Sequence, residues 1–307
     1  MRAVVTGAAG FIGSHLCEHL LAAGDTVVGI DSFTDFYDPA LKERNLRGLT
    51  RRPGFTLHRA DLLEADPGPL LDGADAVYHL AGQPGVRPSW GAEFPVYNAR
   101  NVLATQAVLE AVRARPVGRF VYASSSSVYG DARSCPTPEA ACPRPVSPYG
   151  VTKLAGEHLC EVYRAAYGLP VACLRLFTVY GPRQRPDMAF ARLLDAASGG
   201  APFPLYGDGE QTRDFTYVLD AVAGIRDAAC SGFTGLANLG GGSPVSMKQA
   251  IAAVECTVGP VRVVPRAARP GDARHTGADI TVASRAFGFR PRTPLHDGIV
   301  AMAGERR

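Results

Sequence analysis

Residues 2–31 leave this chain little choice of fold. A short apolar strand, Arg2-Ala3-Val4-Val5-Thr6, runs straight into Gly7, Gly10 and Gly13. A helix follows with Ile12, Leu16 and Leu20 on one face, and Gly24-Asp25 ends it. A second strand, Thr26 to Ile30, closes on Asp31. Strand, glycine turn, helix, strand and acid together form a dinucleotide-binding unit. The glycines are spaced G-x-x-G-x-x-G, yet they do the same physical work. They permit a tight turn, let backbone approach a pyrophosphate, and let helix and strand pack closely. The helix N-terminus then faces the phosphates. Asp31 stands where a carboxylate accepts from ribose hydroxyls and repels a 2′-phosphate, which favours NAD over NADP.

The alternation continues. Strands are expected at 55–60, 76–80, 119–123 and 171–177, with helices at about 93–114 and from Pro148 onward. Six strands alternating with helices imply a Rossmann-type, doubly wound parallel α/β sheet. Polar motifs follow the C-terminal ends of the strands, where such sheets bind ligands. After about residue 180 the pattern weakens into a smaller mixed α/β part. Helices are expected at 188–198, after Leu219 and at Ser246-Met247-Lys248-Gln249, a capping-box pattern, and a strand at 261–264. The expected division is a nucleotide-binding domain at 1–177, completed by segments from about 212–242, and a mainly substrate-binding part at 178–307.

The second constraint is Ser147-Pro148-Tyr149-Gly150-Val151-Thr152-Lys153. Ser147 suits an N-cap and Pro148 the first helical position. Tyr149 and Lys153 then share one helix face. At roughly 4 Å and an effective dielectric of about 20, an ammonium stabilises a phenolate by about 4 kcal/mol before desolvation. That is a fall of up to about 3 pKa units, enough to bring a tyrosine near neutrality.

Composition excludes several classes. Lys+Arg is 32 against Asp+Glu 29, which offers no basic footprint for nucleic acid. The seven cysteines form no C-x-x-C pattern, so reduced thiols in the cytoplasm are expected and a metal site is not. The opening residues already form the first strand, so no signal peptide is expected, and no apolar run reaches membrane-spanning length.

With these pieces placed, the sequence resembles the extended short-chain dehydrogenase/reductase family, in its branch of NAD-dependent nucleotide-sugar epimerases and dehydratases. The resemblance rests on Thr6 to Gly13, Asp31, Asp61-Leu62, His79-Leu80-Ala81-Gly82-Gln83, Asn101-Val102 and Ser124 to Gly130. It continues through Tyr149/Lys153, Arg175 to Pro182, Arg213-Asp214-Phe215 and Arg269-Pro270-Gly271-Asp272. It implies NAD bound by Gly7, Gly10, Phe11, Ile12, Gly13, Asp31 and Ser32. Asp61 and Leu62 would sit at the adenine. Leu80, Ala81, Gly82, Gln83, Asn101, Ser124, Tyr149 and Lys153 would lie along the rest of the cofactor. Tyr149 would take the sugar C4 hydroxyl proton, Ser125 would share the hydrogen bond to that oxygen, and Lys153 would hold the nicotinamide ribose and lower the Tyr149 pKa. The family commonly dimerises through the helices near 93–114 and 148–166. Apolar candidates there are Val102, Val108, Leu109, Leu154 and Leu159.

Within this branch the residues before Val128-Tyr129-Gly130 decide the reaction. Dehydratases resemble Thr-Asp-Glu there, and decarboxylases of the xylose-forming type Thr-Ser-Glu. This chain has Ser125-Ser126-Ser127, with no carboxylate to remove a C5 proton. Oxidation at C4 followed by reduction on the other face, 4-epimerisation, is left. Residues 79–87, 35–44 and 181–189 resemble UDP-glucuronate 4-epimerases, so UDP-glucuronate and UDP-galacturonate are the expected sugar nucleotides. The implied contacts are Val86, Arg87, Ser126, Ser127, Thr178, Arg185 and Met188 near the sugar. Phe203, Leu205 and Tyr206 would line the base, Arg213 and Arg269 would meet the diphosphate, and Asp272 would meet the ribose. Alternatives are a 4-epimerase of UDP-glucose or UDP-N-acetylhexosamines, a UDP-glucuronate decarboxylase, and a non-catalytic NAD-binding scaffold.

Overall fold

The computed structural model describes residues 1–132, 134–268 and 271–306. The first half runs β1 (Arg2–Thr6), α1 (Phe11–Ala22), β2 (Thr26–Asp31), α2 (Pro39–Leu46), β3 (Phe55–Arg59), α3 (Gly68–Leu71) and β4 (Ala76–His79). α4 (Phe94–Asn98), α5 (Ala104–Ala114), β5 (Arg119–Ser125), α6 (Pro148–Tyr167) and β6 (Val171–Leu176) follow. The second half runs β7 (Thr178–Tyr180), α7 (Ala189–Ala197), β8 (Phe203–Tyr206), β9 (Thr212–Tyr217), α8 (Val218–Cys230), β10 (Gly235–Leu239) and β11 (Pro244–Ser246). It ends with α9 (Met247–Thr257), β12 (Val263–Arg266), α10 (Thr281–Phe287) and α11 (Leu295–Glu305).

The main sheet has seven parallel strands in the order β10-β6-β5-β4-β1-β2-β3. Its central strands are apolar along their length because helices cover both faces. One apolar cluster includes Leu16, Leu20, Val222 and Ile225. The other includes Val108, Leu109, Val112 and Cys160. The alternation accounted for six of these strands. The seventh, β10, returns from the second half and pairs Gly235–Leu239 with Ala172–Leu176. β9 does not join that sheet. It is the middle strand of a second sheet, between β11 and β7. β12 pairs with β8 as a two-stranded ribbon.

Two helix starts follow from their capping residues. Ser147 Oγ accepts from Gly150 N at 3.1 Å, Pro148 takes the first turn, and Gly168 closes α6 in the left-handed conformation at φ 68°. Ser246 and Gln249 form a reciprocal capping box at α9. The helix expected over 93–114 is interrupted. A wider π-type turn at Ala99–Leu103 separates α4 from α5, and it turns the buried Asn101 inward. Among the described residues, no helix is long and apolar enough to cross a membrane.

Candidate active site

α1 opens the site. Its N-cap is Gly10, no side chain caps it, and no acid stands in its first turn. Its first backbone N–H groups are therefore available to an anion. Gly7 has φ 73°, and a Cβ on Gly13 would lie 2.1 Å from Gly7 O. Only glycine allows helix and turn to approach this closely. Asp31 closes β2, and Ala9 N donates to its Oδ2 at 3.1 Å while Phe33 N donates to Oδ1 at 2.8 Å. These features fit a dinucleotide, with the diphosphate at α1 and a ribose at Asp31.

A cleft of about 840 Å³ runs along the C-terminal ends of the main-sheet strands. Of the residues expected at the cofactor, Gly7, Gly10, Phe11, Ile12, Gly13, Asp31, Ser32, Asp61, Leu62, Leu80, Ala81, Gly82, Gln83, Ser124, Tyr149 and Lys153 line it. Of those expected at the sugar nucleotide, Val86, Arg87, Ser125, Ser126, Ser127, Thr178, Arg185, Met188, Phe203, Leu205, Tyr206, Arg213 and Asp272 line it. Arg269 lies outside the described residues.

Asn101 stands apart from these residues. It is buried behind the wall rather than lining the cleft. Its Oδ1 accepts from Gln83 N at 2.6 Å, and its Nδ2 donates to Gln83 O and Thr152 Oγ1, both at 3.0 Å. The side chain clamps the backbone of the loop after β4 and holds that wall in place. His79 supports the same loop from below. Thr105 Oγ1 donates to Asn101 O at 2.7 Å, so it accepts from His79 Nε2 at 3.1 Å. His79 Nδ1 then accepts from Thr6 Oγ1 at 2.8 Å, and Thr6 Oγ1 accepts from Ala81 N at 3.1 Å. Burial pushes the His79 pKa down to about 3, so the ring stays neutral.

The surroundings of Tyr149 and Lys153 differ from those that their helix spacing suggests. Burial raises the Tyr149 pKa above its ordinary value, while a hydrogen bond from Ser125 and the charge of Arg185 pull it down. Ser125 Oγ accepts from Ser127 N at 3.2 Å, which leaves its proton to donate. Lys153 is engaged elsewhere. Its Nζ donates to Ala123 O at 2.9 Å, and burial lowers its pKa to about 8. The groups that pull the Tyr149 phenol down are thus Ser125 and Arg185, while the Lys153 ammonium is hydrogen-bonded to the end of β5.

At the substrate end, most guanidinium groups already face a carboxylate. Arg185 pairs with Asp187 and Arg274 with Asp208. Arg87 donates twice to Asp272 Oδ2, at 3.2 and 2.8 Å, and stacks 4.1 Å above the Tyr206 ring. Asp272, expected at the ribose, thus ties the loop after β4 to the C-terminal part. Arg213 hydrogen-bonds the Thr212 carbonyl at 2.8 Å, and burial depresses its pKa.

Sequence reasoning missed Lys42, Tyr37, Arg100 and Arg192, which also line the cleft. Lys42 is buried and reaches Asp31 Oδ1 at 3.3 Å. Its only local signal is a place on the helix following Asp31. An ordinary surface lysine gives the same signal.

A family model for the NAD dependent epimerase/dehydratase family matches residues 3–235. The chain belongs to this family. Within the family it is similar to a Bacillus subtilis (strain 168) protein, the uncharacterized UDP-glucose epimerase YtcB, at 45% identity over 97% of this chain and 96% of that one. Its fold is similar to that of UDP-glucuronic acid 4-epimerase from Bacillus cereus, solved with UDP-glucuronic acid and NAD. The two share 43% identity and a TM-score of 0.96, over 99% and 98% of the two chains. MoeE5, solved with UDP-glucuronic acid and NAD, has a TM-score of 0.89 and 41% identity over 100% and 99%. MoeE5 has also been solved with UDP-glucose and NAD. The family's NAD dependence agrees with the dinucleotide-type turn at the start of α1.

Proposed function

We propose that the protein is a UDP-glucuronate 4-epimerase, interconverting UDP-glucuronate and UDP-galacturonate. One observation carries this reading. Ser125, Ser126, Ser127, Thr178 and Arg185 line the same cleft as Tyr149, and the serine run carries no carboxylate that could remove a C5 proton. Hydroxyl donors and one cation suit a C5 carboxylate. Bound NAD would supply reversible hydride exchange at C4. Tyr149 moves the C4 hydroxyl proton, and Ser125 holds the oxygen while its charge changes. The 4-keto sugar turns over in the cleft before C4 is reduced on the other face. A 4-keto uronic acid loses CO₂ readily, so the hydroxyl groups also hold the carboxylate out of the alignment that decarboxylation needs.

The α1 N-terminus, Asp31, Ser32, Asp61 and Leu62 would hold the adenosine and diphosphate of NAD. Arg213 would take the sugar-nucleotide diphosphate, and Phe203, Leu205 and Tyr206 the uracil. A second reading, UDP-glucose 4-epimerase, draws support from the pairing of Arg185 with Asp187 and of Arg87 with Asp272. That charge balance also suits a neutral sugar. Incubating the purified protein with UDP-glucuronate and UDP-glucose separately, then resolving products by anion exchange, tests both. UDP-galacturonate from the first is expected, and no turnover of the first ends this reading.

We also infer a cytoplasmic homodimer. Val108 and Leu109 are used up inside the subunit core. Leu103, Val151, Val162 and Tyr167 remain exposed on the adjoining π-type turn and α6, and a second copy would cover them. Size-exclusion chromatography of Val162→Glu against the native protein tests this; equal elution as a monomer for both sinks it.

A further inference from the structure

The serine before Ser125 does not behave as a simple cofactor contact. Ser124 Oγ donates a short hydrogen bond to Glu157 Oε1. Glu157 lies on α6 one turn beyond Lys153 and two turns beyond Tyr149, on the same helix face. It is buried, and Arg175 of β6 grips it at both oxygens, Nε to Oε1 at 2.9 Å and Nη2 to Oε2 at 2.7 Å. Arg175 is itself fixed by the Glu139 carbonyl at 3.3 Å and by the Tyr129 ring 4.5 Å away. Desolvating this carboxylate and guanidinium offsets most of what their pairing returns, so the pair adds little net stability.

What it holds is the end of β5. Ala123, just before Ser124, gives its carbonyl to Lys153 Nζ, and Ser125, just after it, supports the Tyr149 hydroxyl. We propose that Glu157 is a positioning residue for the proton-transfer centre, anchoring Ser124 through the Arg175 pair and so fixing both neighbouring contacts. The proposal rests on the 4-epimerase reading. Glu157 itself does not line the cleft.

Glu157 also acts on Lys153 by charge. The titratable and charged groups facing Lys153 are Cys160 and Glu157 from α6, Tyr122 from β5, whose ring centroid is 5.1 Å from Nζ, and His79 from β4. Against burial, Cys160 and then Glu157 favour the charged ammonium, and of the two Glu157 is the carboxylate paired with Arg175. Replacing it by a neutral amide leaves Arg175 as an unbalanced cation and makes Lys153 lose its proton at lower pH.

The test uses the full chain carrying NAD, with Glu157→Gln and Ser124→Ala. Turnover and KM are measured across pH 6 to 10, together with melting temperature and the pH dependence of the NAD dissociation constant. For Glu157→Gln, kcat falls about tenfold with KM nearly unchanged. The alkaline limb of kcat and of NAD affinity moves down by about one pH unit. For Ser124→Ala, kcat falls while the alkaline limb stays. Native kcat and an unmoved limb in Glu157→Gln would overturn the proposal. So would a loss of activity equal at every pH that merely tracks a lowered melting temperature. If Glu157→Gln does not fold, Ser124→Ala decides: native kcat refutes the proposal, and a fall at unchanged melting temperature supports it. If the native protein does not turn over UDP-glucuronate, the 4-epimerase reading fails, and the NAD affinity profile still tests Glu157.

Discussion

Replacing Asn101 with alanine separates a wall residue from a ligand residue. The substitution removes the acceptor for Gln83 N and the donor to Gln83 O, at 2.6 and 3.0 Å. Each such bond contributes about 0.5–1.5 kcal/mol net, and a buried N–H left unsatisfied costs about 1–3 kcal/mol. The loop after β4 thus loses about 2–4 kcal/mol of local stability. Leu80 to Gln83 form one wall of the cleft, so a ligand seated there must restore the loop as it binds. Each 1.4 kcal/mol spent this way weakens affinity about tenfold. NAD titrated calorimetrically into apo protein is therefore expected to bind at least about tenfold more weakly. Asn101→Asp keeps an acceptor for Gln83 N and should fall between the two. An NAD affinity within twofold of the native value, alongside a lowered melting temperature, would show that Asn101 serves packing alone.

Four further outcomes follow from the same geometry. Lys153→Met should abolish turnover without lowering the melting temperature at neutral pH. The native ammonium is buried with its pKa moved from 10.5 to about 8, a cost of about 3 kcal/mol that is present in full below pH 8 and relieved as pH rises toward 10.5; a large drop in melting temperature contradicts this. His79, with its pKa lowered from 6.5 to about 3, stabilises fully above pH 6.5 and loses up to about 4 kcal/mol as pH falls to 3. His79→Gln should flatten that part of the stability–pH curve in denaturant titrations, and an unchanged slope argues against it. Thr178→Val should raise the share of pentose product from UDP-glucuronate, and an unaltered product ratio would remove Thr178 from the carboxylate site. Arg183 sits at φ 61° and ties the loop carrying Arg185 to Glu18 of α1 and Glu305 of α11. Arg183→Ala should raise the sugar-nucleotide KM severalfold and leave NAD affinity unchanged; equal losses in both would refute it.

Local chemistry was readable where one short segment carries it. Gly7, Gly10 and Gly13 announce the first turn because only glycine lets helix and strand close there. Ser147-Pro148 and Ser246/Gln249 announce helix starts because their side chains satisfy the first N–H groups. What the sequence hid depends on long-range geometry. Asn101 faces Gln83 because a π-type turn rotates it, and no residue pattern marks that turn. Arg87 and Asp272 meet across 185 residues. Lys153 sits on the helix face expected of it, but its partner is a carbonyl at the end of β5, which helix spacing alone cannot reveal. Neither β9 nor β10 stands out as a strand in the sequence, and only packing decides which one joins the main sheet.

The docking of β10 beside β6 also sets an order of events during synthesis. β6, buried along its whole length, ends at Leu176, and its outer partner is complete only at Leu239. Roughly 60 residues must still emerge, which at about 5–20 residues per second takes roughly 3–12 seconds. Throughout that interval the nascent sheet carries an open, apolar parallel edge, the kind of surface that pairs with another chain. Translation pauses between the codons for residues 177 and 239 should therefore raise aggregation of the nascent chain, whereas pauses after residue 240 should not.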